Sequence, residues 1–323
     1  MARNEIRHKA EWGKTQVTMS EAETVRAVMA TKISIVSNAT LADGPTLLRL
    51  VPHWLRVFGS RLDEIILVVD SEPLIGRIAE LQRGQSNQGR MKEAIQSLEV
   101  SDARVRFVSL ESIKPTALQR RWFGRARPVR CQAGTPILAF IAAIDQARCD
   151  IVLRCDSDML FCENGWLDEA IQSLEEGVDV YEPPHLHLGV EREVSSRAFM
   201  IAKQSFYGHL PLRNLRLDVL RVLHRMSKGR PPWLALEQMM TRSVAKEQLS
   251  HKIGRNTDLG FSLHGLKRSY FASRWFQEVV SAIETGRVPE QQRRLWDFHP
   301  DLWGVGTASL ETDPCEAIKS TTG

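Results

Sequence analysis

Residues 150–158 read Asp-Ile-Val-Leu-Arg-Cys-Asp-Ser-Asp, an apolar run that leads directly into two aspartates. Short runs rich in Val, Ile and Leu are typical of strands that are buried on both faces of a parallel sheet. Side chains alternate along an extended chain, so residues i and i+2 point to the same side. Asp156 and Asp158 are therefore predicted to present two carboxylates together at the end of this strand. Such a pair of hard oxygen ligands suits Mg²⁺ or Mn²⁺.

The segments around this strand alternate between strand and helix patterns. Strands are predicted at Lys32–Asn38, Glu64–Asp70, Val105–Leu110 and Val178–Glu182, and helices at Thr46–Phe58, Thr135–Ala147 and Gly165–Leu174. This alternation predicts an α/β fold built on an open, mostly parallel twisted sheet with flanking helices. In such a sheet ligands bind beyond the carboxyl ends of the strands, where Asn38, Asp70 and Asp156 are predicted to lie.

The remaining segments complete a single predicted domain. The polar residues 1–30 are predicted to be a leader, and residues 311–323 a tail. Residues 31–200 carry the strand and helix alternation, whereas residues 201–310 are predicted to be mainly helices and loops. Helices in this second half are predicted at Arg213–Ser227, Leu234–Gln248 and Phe276–Thr285.

Composition excludes several classes of protein. The chain has 323 residues, of which 43 are basic and 39 acidic, and its net charge of +4 is too small for a dedicated duplex-binding protein. No apolar run approaches the ~18–20 residues that cross a bilayer, and the charged start is not followed by the apolar segment of a secretory signal. The five cysteines form no C-x-x-C pair, which favours reduced thiols over a disulfide framework. We therefore expect a soluble, cytoplasmic protein.

The run at residues 151–161, Ile-Val-Leu-Arg-Cys-Asp-Ser-Asp-Met-Leu-Phe, resembles the D-x-D signature of nucleotide-sugar glycosyltransferases with the GT-A fold. Lys32–Asn38 is similar to the first strand of that family, Ile65–Ser71 to the second, and Arg130–Ala147 to the segment before the D-x-D strand. The resemblance covers residues 32–200 and is nearest to the family-two-like glycosyltransferases. It implies a GT-A-like, Rossmann-related fold, in which residues 31–200 bind the donor and residues 201–310 form the acceptor side.

The resemblance also implies an activity. These enzymes move a sugar from a nucleoside-diphosphate donor, here a UDP-, GDP- or dTDP-sugar, to an acceptor hydroxyl, and Mn²⁺ or Mg²⁺ is the expected cofactor. The acceptor would be a glycan, a glycolipid or a small molecule, in the biosynthesis of a polysaccharide, glycolipid or glycoconjugate. In this mechanism the metal acts as a Lewis acid that neutralises charge on the departing diphosphate.

Single residues in the first half receive roles from the resemblance. Asp158 would bind the metal directly, and Asp156 would contact the metal or the donor. Asn38 and Asp70, at the ends of the first two strands, would contact the nucleotide. The sequence after Asp70 is Ser-Glu-Pro rather than a second aspartate followed by glycine, so this motif departs from the family pattern.

Two segments of the second half extend the resemblance. Residues 261–267 are similar to the late histidine segment of metal-dependent members, which implies His264 as a third metal ligand and Lys267 as a diphosphate contact. Residues 236–242 are similar to the helix that carries the acidic base of inverting members. Here a glutamine stands in the second position of the usual Glu-Asp pair, which leaves Glu237 as the candidate catalytic base.

Two basic tracts each admit more than one interpretation. Residues 120–130, with an aromatic pair interleaved among the arginines, fit a solvated loop, a nucleic-acid contact or a phosphate site, and Arg130 is the best candidate for a phosphate contact. We do not expect nucleic acid as a partner. The helix predicted at Arg213–Ser227 alternates leucines with arginines, which fits an anionic membrane surface as well as packing against the sheet. Peripheral contact with the inner membrane face therefore stays open.

Two other functions stay open alongside glycosyl transfer. Haloacid-dehalogenase-like phosphatases also end a strand in D-x-D and use the first aspartate as a nucleophile. In those enzymes that strand normally opens the domain, whereas here two strand–helix units precede Asp156 and Met-Leu follows Asp158. The second alternative is a pseudoenzyme that binds nucleotide sugar without turning it over.

Overall fold

The computed structural model describes residues 31–71, 88–113, 130, 131, 134, 136–184, 193–195, 197–209, 220, 223, 228, 233–264, 274–295 and 297–304. The predicted leader and tail lie outside these residues. So do Lys267, residues 120–129 of the first basic tract and most of the helix predicted at Arg213–Ser227.

Nine strands and seven helices are formed by the described residues. The strands are β1 (Ile33–Thr40), β2 (Leu62–Asp70), β3 (Val105–Ser109), β4 (Ile151–Asp156), β5 (Leu160–Phe161), β6 (Val180–Glu182), β7 (Ala198–Ala202), β8 (His251–Ile253) and β9 (Ser262–Leu263). The helices are α1 (Gly44–Phe58), α2 (Gln88–Ser101), α3 (Ile137–Gln146), α4 (Trp166–Glu175), α5 (Lys203–His209), α6 (Leu236–Ala245) and α7 (Arg274–Glu284).

Seven of these strands form one sheet in the order β3-β2-β1-β4-β7-β6-β8. The strands β3, β2, β1 and β4 are parallel to one another, β7 is antiparallel to both β4 and β6, and β6 is parallel to β8. The predicted fold class, an open and mostly parallel α/β sheet with flanking helices, is confirmed. The order of the strands reverses between β1 and β4, and a crevice at such a point is where open α/β sheets bind their ligands.

Both faces of the sheet are buried, which explains why its central strands are nearly continuous apolar runs. On one face Ile35 and Leu67 join a cluster with Trp54 of α1 and Trp166 of α4. On the other face lies a second cluster, in which Val36 and its strand neighbours meet α3 and α6. The alternation of side chains along each strand therefore divides the apolar residues between two helical layers.

The structure adds strands that the sequence pattern does not predict. β7 crosses residue 200, the predicted boundary between the two halves, and β8 brings the second half into the main sheet. Both are short, and β7 passes directly into the helix α5, so neither shows a clear strand period. Among the described residues no helix is both long enough and apolar enough to cross a membrane.

Candidate metal centre

A second, two-stranded sheet assembles the candidate site. β4 ends at Asp156, and the chain returns through β5, which pairs antiparallel with β9. The N–H of Cys162 donates to the carbonyl of Phe261 at 2.7 Å and extends this pairing. Because β9 is followed at once by His264, the pairing carries that imidazole to the D-S-D segment.

A glycine makes this close pairing possible. Gly260 has a φ of 120°, and a Cβ atom there would lie 2.7 Å from the backbone of Glu163. A side chain at this position would therefore be strained in its backbone and would also collide with the chain that leads out of β5. The turn into β9 depends on glycine.

Asp156, Asp158 and His264 come together as the sequence predicts. One ligand atom from each residue lies within 4.8 Å of the other two, and Nε2 of His264 is 3.6 Å from Oδ2 of Asp158. Two carboxylates and one imidazole form a donor set that fits Mn²⁺ and accommodates Mg²⁺ with added water.

The electrostatics of the cluster also fit a divalent cation. Burial, together with the negative charges of Asp156 and Asp43, raises the pKa of Asp158 to about 7. Burial lowers the pKa of His264 to about 4, so its imidazole is neutral near pH 7 and available as a ligand. A cation bound between these groups would remove the repulsion that raises the pKa of Asp158.

The buried amide of Gln292 holds the segment that pairs with His264. Nε2 of Gln292 donates to the carbonyl of Asp297 at 2.9 Å, and its Oε1 accepts from the indole N–H of Trp303 at 3.1 Å. The N–H of Phe298 in turn donates to the carbonyl of His264 at 2.8 Å. The backbone carbonyl of His264 is thus fixed by a hydrogen bond from this segment.

Asp156 lies between two arginines that the sequence analysis does not single out. Nη2 of Arg154 is 2.8 Å from Oδ1 of Asp156, and Nη1 of Arg197 is 3.6 Å from Oδ2. The guanidinium of Arg154 is buried and lies over the ring of Phe140, 4.1 Å from its centroid. Asp156 is therefore oriented by two cations, whereas Asp158 faces His264.

A signal for one of these arginines is present in the sequence. Arg154 is the single charged residue in the apolar run 151–155, and it precedes Asp156 by two positions, which places both on the same face of β4. Arg197 follows no such pattern. It reaches Asp156 only because β7 pairs with β4.

Glu237 lies near this cluster, in the first turn of α6. Burial raises its pKa, while the positive charges of Arg154 and Arg197 oppose that rise. The charge of Glu237 is thus coupled electrostatically to Arg154, Asp156 and Arg197. A raised pKa in a carboxylate suits proton abstraction near neutral pH.

Asn38 lies two residues before the end of β1, next to the candidate metal centre. It is the register partner of Asp156, and its Nδ2 donates to the carbonyl of Pro136 at 3.4 Å. Its Oδ1 is buried and has no hydrogen-bond partner among the residues that the structure describes. A buried carbonyl oxygen of this kind is an acceptor that a bound ligand can satisfy.

Asp70 and Arg130, predicted separately as nucleotide and phosphate contacts, bind each other. Nη1 of Arg130 is 2.7 Å from Oδ2 of Asp70, and its Nη2 donates to Oδ1 at 3.0 Å. Nη1 also donates to the carbonyl of Gly134. Both side chains are buried, so the structure shows Arg130 as the partner of Asp70, and their contacts with a nucleotide stay a prediction.

The loop that carries Asp158 is anchored to α1 by two buried side chains. Nε2 of His53 lies 2.7 Å from the carbonyl of Phe161, and the indole N–H of Trp54 donates to the carbonyl of Met159 at 2.9 Å. Burial lowers the pKa of His53 to about 4. The imidazole is thus neutral in the folded protein near pH 7.

Acidification is expected to destabilise the fold through His53. Its pKa is about 4 in the folded protein and 6.5 when exposed, so between these values the unfolded chain binds the extra proton. The stabilisation present above pH 6.5 is then lost as the pH falls towards 4, by about 3 kcal/mol in all. Urea unfolding of wild type and His53→Gln at pH 7, 5.5 and 4.5 measures this. The glutamine can still donate to Phe161, so its unfolding free energy should fall less with pH; parallel pH profiles would contradict the prediction.

Comparisons with known proteins give similarity to solved structures only. No protein-family model and no curated protein matches the chain. Glucosyl-3-phosphoglycerate synthase from Mycobacterium tuberculosis, in complex with Mn²⁺, uridine diphosphate and phosphoglyceric acid, is similar at 14% identity and a TM-score of 0.40, over 84% of this chain and 83% of that one. The mannosyltransferase PcManGT from Pyrobaculum calidifontis, in complex with GDP-Man and Mn²⁺, is similar at 9% identity and a TM-score of 0.42, over 72% of this chain and 61% of that one.

A third solved structure, S. aureus TarS 1-349, is similar at 11% identity and a TM-score of 0.43, over 81% of this chain and 68% of that one. At these identities the similarity assigns the chain to no particular family.

Proposed function

We propose that this chain is a metal-dependent glycosyltransferase that moves a sugar from a nucleoside-diphosphate donor to an acceptor hydroxyl. The observation that carries the proposal is the Asp156, Asp158 and His264 cluster, which lies at the carboxyl end of β4 next to the point where the strand order reverses. The ligand set and its position suit a cation that holds a diphosphate.

The nucleotide is proposed to lie across the carboxyl ends of β1 and β2. There the open Oδ1 of Asn38 accepts an N–H group of the base. Asp70 is the second predicted contact, and the ion pair with Arg130 holds its carboxylate in place. Each carboxylate oxygen has more than one acceptor site, so Asp70 can accept from a ligand while it stays bound to Arg130.

Asp158 and His264 would hold the Mn²⁺ or Mg²⁺ ion, which supplies Lewis-acid stabilisation of the diphosphate. Asp156 can complete the ligand set or contact the donor, since Arg154 and Arg197 already fix its orientation. Arg197 is partly exposed at this site and offers a positive charge to the phosphates. Lys267 stays a predicted diphosphate contact.

Glu237 is proposed as the general base. It takes the proton from the acceptor hydroxyl while that oxygen attacks the anomeric carbon. The bond from the anomeric carbon to the diphosphate oxygen breaks, and the diphosphate leaves with the electron pair. This single displacement inverts the configuration of the sugar.

The acceptor, the pathway and the cellular site are also part of the proposal. A glycolipid acceptor would bring the enzyme to the cytoplasmic membrane face. In the second basic tract, the helix predicted at Arg213–Ser227, Leu220 and Leu223 are 80% and 59% exposed. Exposed leucines among arginines favour contact with an anionic membrane. A soluble glycan or small-molecule acceptor is the alternative.

A ligand screen tests the proposal. The melting temperature of the protein is measured with UDP-, GDP- and dTDP-sugars, each with and without Mn²⁺. One nucleotide series should stabilise the fold by about 2.7 kcal/mol at a hundred times its dissociation constant, and by less when Mn²⁺ is withheld. If no nucleotide sugar shifts the melting temperature, the proposed function is wrong.

The same screen separates the two alternatives. Binding without release of nucleoside diphosphate over long incubation would favour the pseudoenzyme. A phosphoaspartate trapped at Asp156 would favour the phosphatase, although both oxygens of that carboxylate already face guanidinium groups.

A further inference from the structure

A buried pair of hydrogen-bonded polar side chains lies at the opposite edge of the sheet from the nucleotide strands. Glu182 at the end of β6 is fully buried, and the side chain of His251 in β8 is 2% exposed. Nε2 of His251 is 2.7 Å from Oε1 of Glu182. Burial of a carboxylate is costly, and an apolar pair of similar size would stabilise a sheet edge at least as well. The pair therefore calls for a role other than stability.

A chain of hydrogen bonds leads from this pair to the metal centre. The N–H of Ser195 donates to Oε1 of Glu182 at 2.7 Å, and the N–H of Arg197 donates to Oγ of Ser195 at 3.1 Å. The carbonyl of Arg197 accepts from the N–H of Asp156 at 2.9 Å. Three successive bonds thus connect the buried carboxylate to the backbone of the first aspartate of the D-S-D segment.

The connecting segment also contacts the helix that carries the candidate base. The N–H of Val194 donates to Oγ1 of Thr241 in α6 at 2.9 Å. Glu193–Ser195 has no regular secondary structure, so its N–H groups depend on side chains for their partners. A carboxylate is the strongest acceptor available for such an N–H group.

We propose that Glu182 and His251 are positioning residues for the metal centre, an inference that rests on the proposed function. His251 fixes the rotamer of the Glu182 carboxylate, which holds Ser195. Ser195 in turn sets the position of Arg197, whose carbonyl holds the backbone of Asp156 and whose guanidinium lies against the Asp156 carboxylate. The pair thereby determines where the first carboxylate of the metal centre lies.

Glu182→Gln tests the inference, with Glu64→Gln as a matched control. Glu64 is also a fully buried carboxylate that accepts a backbone N–H, that of Arg148, but it lies near the amino end of β2. Both changes remove one buried negative charge and conserve shape. Only the first weakens the connection to Asp156, because the neutral amide oxygen of glutamine is a poorer acceptor for the N–H of Ser195 than a carboxylate oxygen.

Two measurements are made on the full chain. Calorimetric titration with Mn²⁺ alone should show affinity weakened about 10- to 100-fold in Glu182→Gln, which is the range for loss of a partner that orients a metal ligand. The affinity of Glu64→Gln should stay within about twofold of wild type. Hydrogen exchange should be accelerated at the amides of Asp156 and Arg197 in Glu182→Gln only. Ser195→Ala removes the hydroxyl that accepts from Arg197 in the chain of hydrogen bonds. This variant should change the Mn²⁺ affinity and the exchange rates in the same direction by a smaller factor. It replaces Glu182→Gln if that variant does not fold.

The outcomes separate the inference from the proposed function. If wild type binds no Mn²⁺, the proposed function is wrong, and unchanged exchange at Asp156 would overturn the positioning role as well. If wild type binds Mn²⁺ and both Glu182→Gln and Ser195→Ala bind it equally well, with unchanged exchange, the positioning role alone is overturned. A loss of affinity shared by Glu64→Gln would show that any buried charge in the sheet has this effect, which also overturns it.

Discussion

Asp158→Asn is expected to abolish tight Mn²⁺ binding and to lower the rate of sugar transfer by at least about 1000-fold. The carboxylate is the candidate ligand that faces His264 and has no arginine on its own oxygens in the described contacts. An amide keeps the shape but offers a single neutral oxygen. Arg154 and Arg197 would then leave the centre with an excess of positive charge, which repels a cation. Mn²⁺ titration calorimetry and a sugar-transfer assay measure the two effects.

The metal-free variant provides its own control for folding. Burial and neighbouring carboxylates raise the pKa of Asp158, so the ionised group destabilises the folded protein above pH 7. Asp158→Asn without metal should therefore melt at or above the wild-type temperature at pH 8.

Asp258→Asn, at an exposed aspartate in the turn before β9, should leave Mn²⁺ binding and sugar transfer unchanged. Tight Mn²⁺ binding by Asp158→Asn would exclude this residue as a ligand.

Glu237→Gln is expected to lower kcat by about 100- to 10,000-fold while donor and Mn²⁺ affinities stay within about twofold. The glutamine has the same shape and conserves the first turn of α6, but it cannot take a proton from the acceptor hydroxyl. Steady-state kinetics with separate donor and metal titrations measure this division between catalysis and binding. Gln238→Ala, at the adjacent exposed position, is the matched control.

The stereochemistry of the product provides an independent check. A base at Glu237 and a single displacement invert the anomeric centre, which NMR of the product reports directly. If Glu237→Gln turns over at the wild-type rate, the assignment is wrong, and retention of configuration becomes the better expectation.

The core of the sheet could be predicted because each of its main strands is marked by a pattern within a short stretch of sequence. β1, β2 and β4 are short runs rich in Ile, Val and Leu with helices between them, and burial on both faces favours that composition. The proximity of the D-S-D pair and His264 could also be predicted, the pair from its place after a buried strand and His264 from the resemblance of residues 261–267. β7 and β8 could not be predicted in the same way, because these short segments become strands only when neighbouring strands supply their hydrogen bonds.

Pairings between distant residues account for what the sequence does not reveal about the site. Asp70 and Arg130 each carry a charge that suits a nucleotide, and nothing in their local sequence shows that they bind each other. Arg197 approaches Asp156 only through the antiparallel pairing of β7 with β4. Such contacts depend on how the strands are arranged in the sheet, so a search for motifs along the sequence does not find them.

The pairing of β5 with β9 has a consequence for the order in which the protein is made. Residues 31–200 contain most of the sheet and both aspartates, and they leave the ribosome well before His264 does. The third ligand arrives only when β9 has been added, and its backbone is fixed only after Gln292 and Trp303 follow. A nascent chain thus carries an open carboxylate pair, and the centre is completed by nearly the last segment that the structure describes.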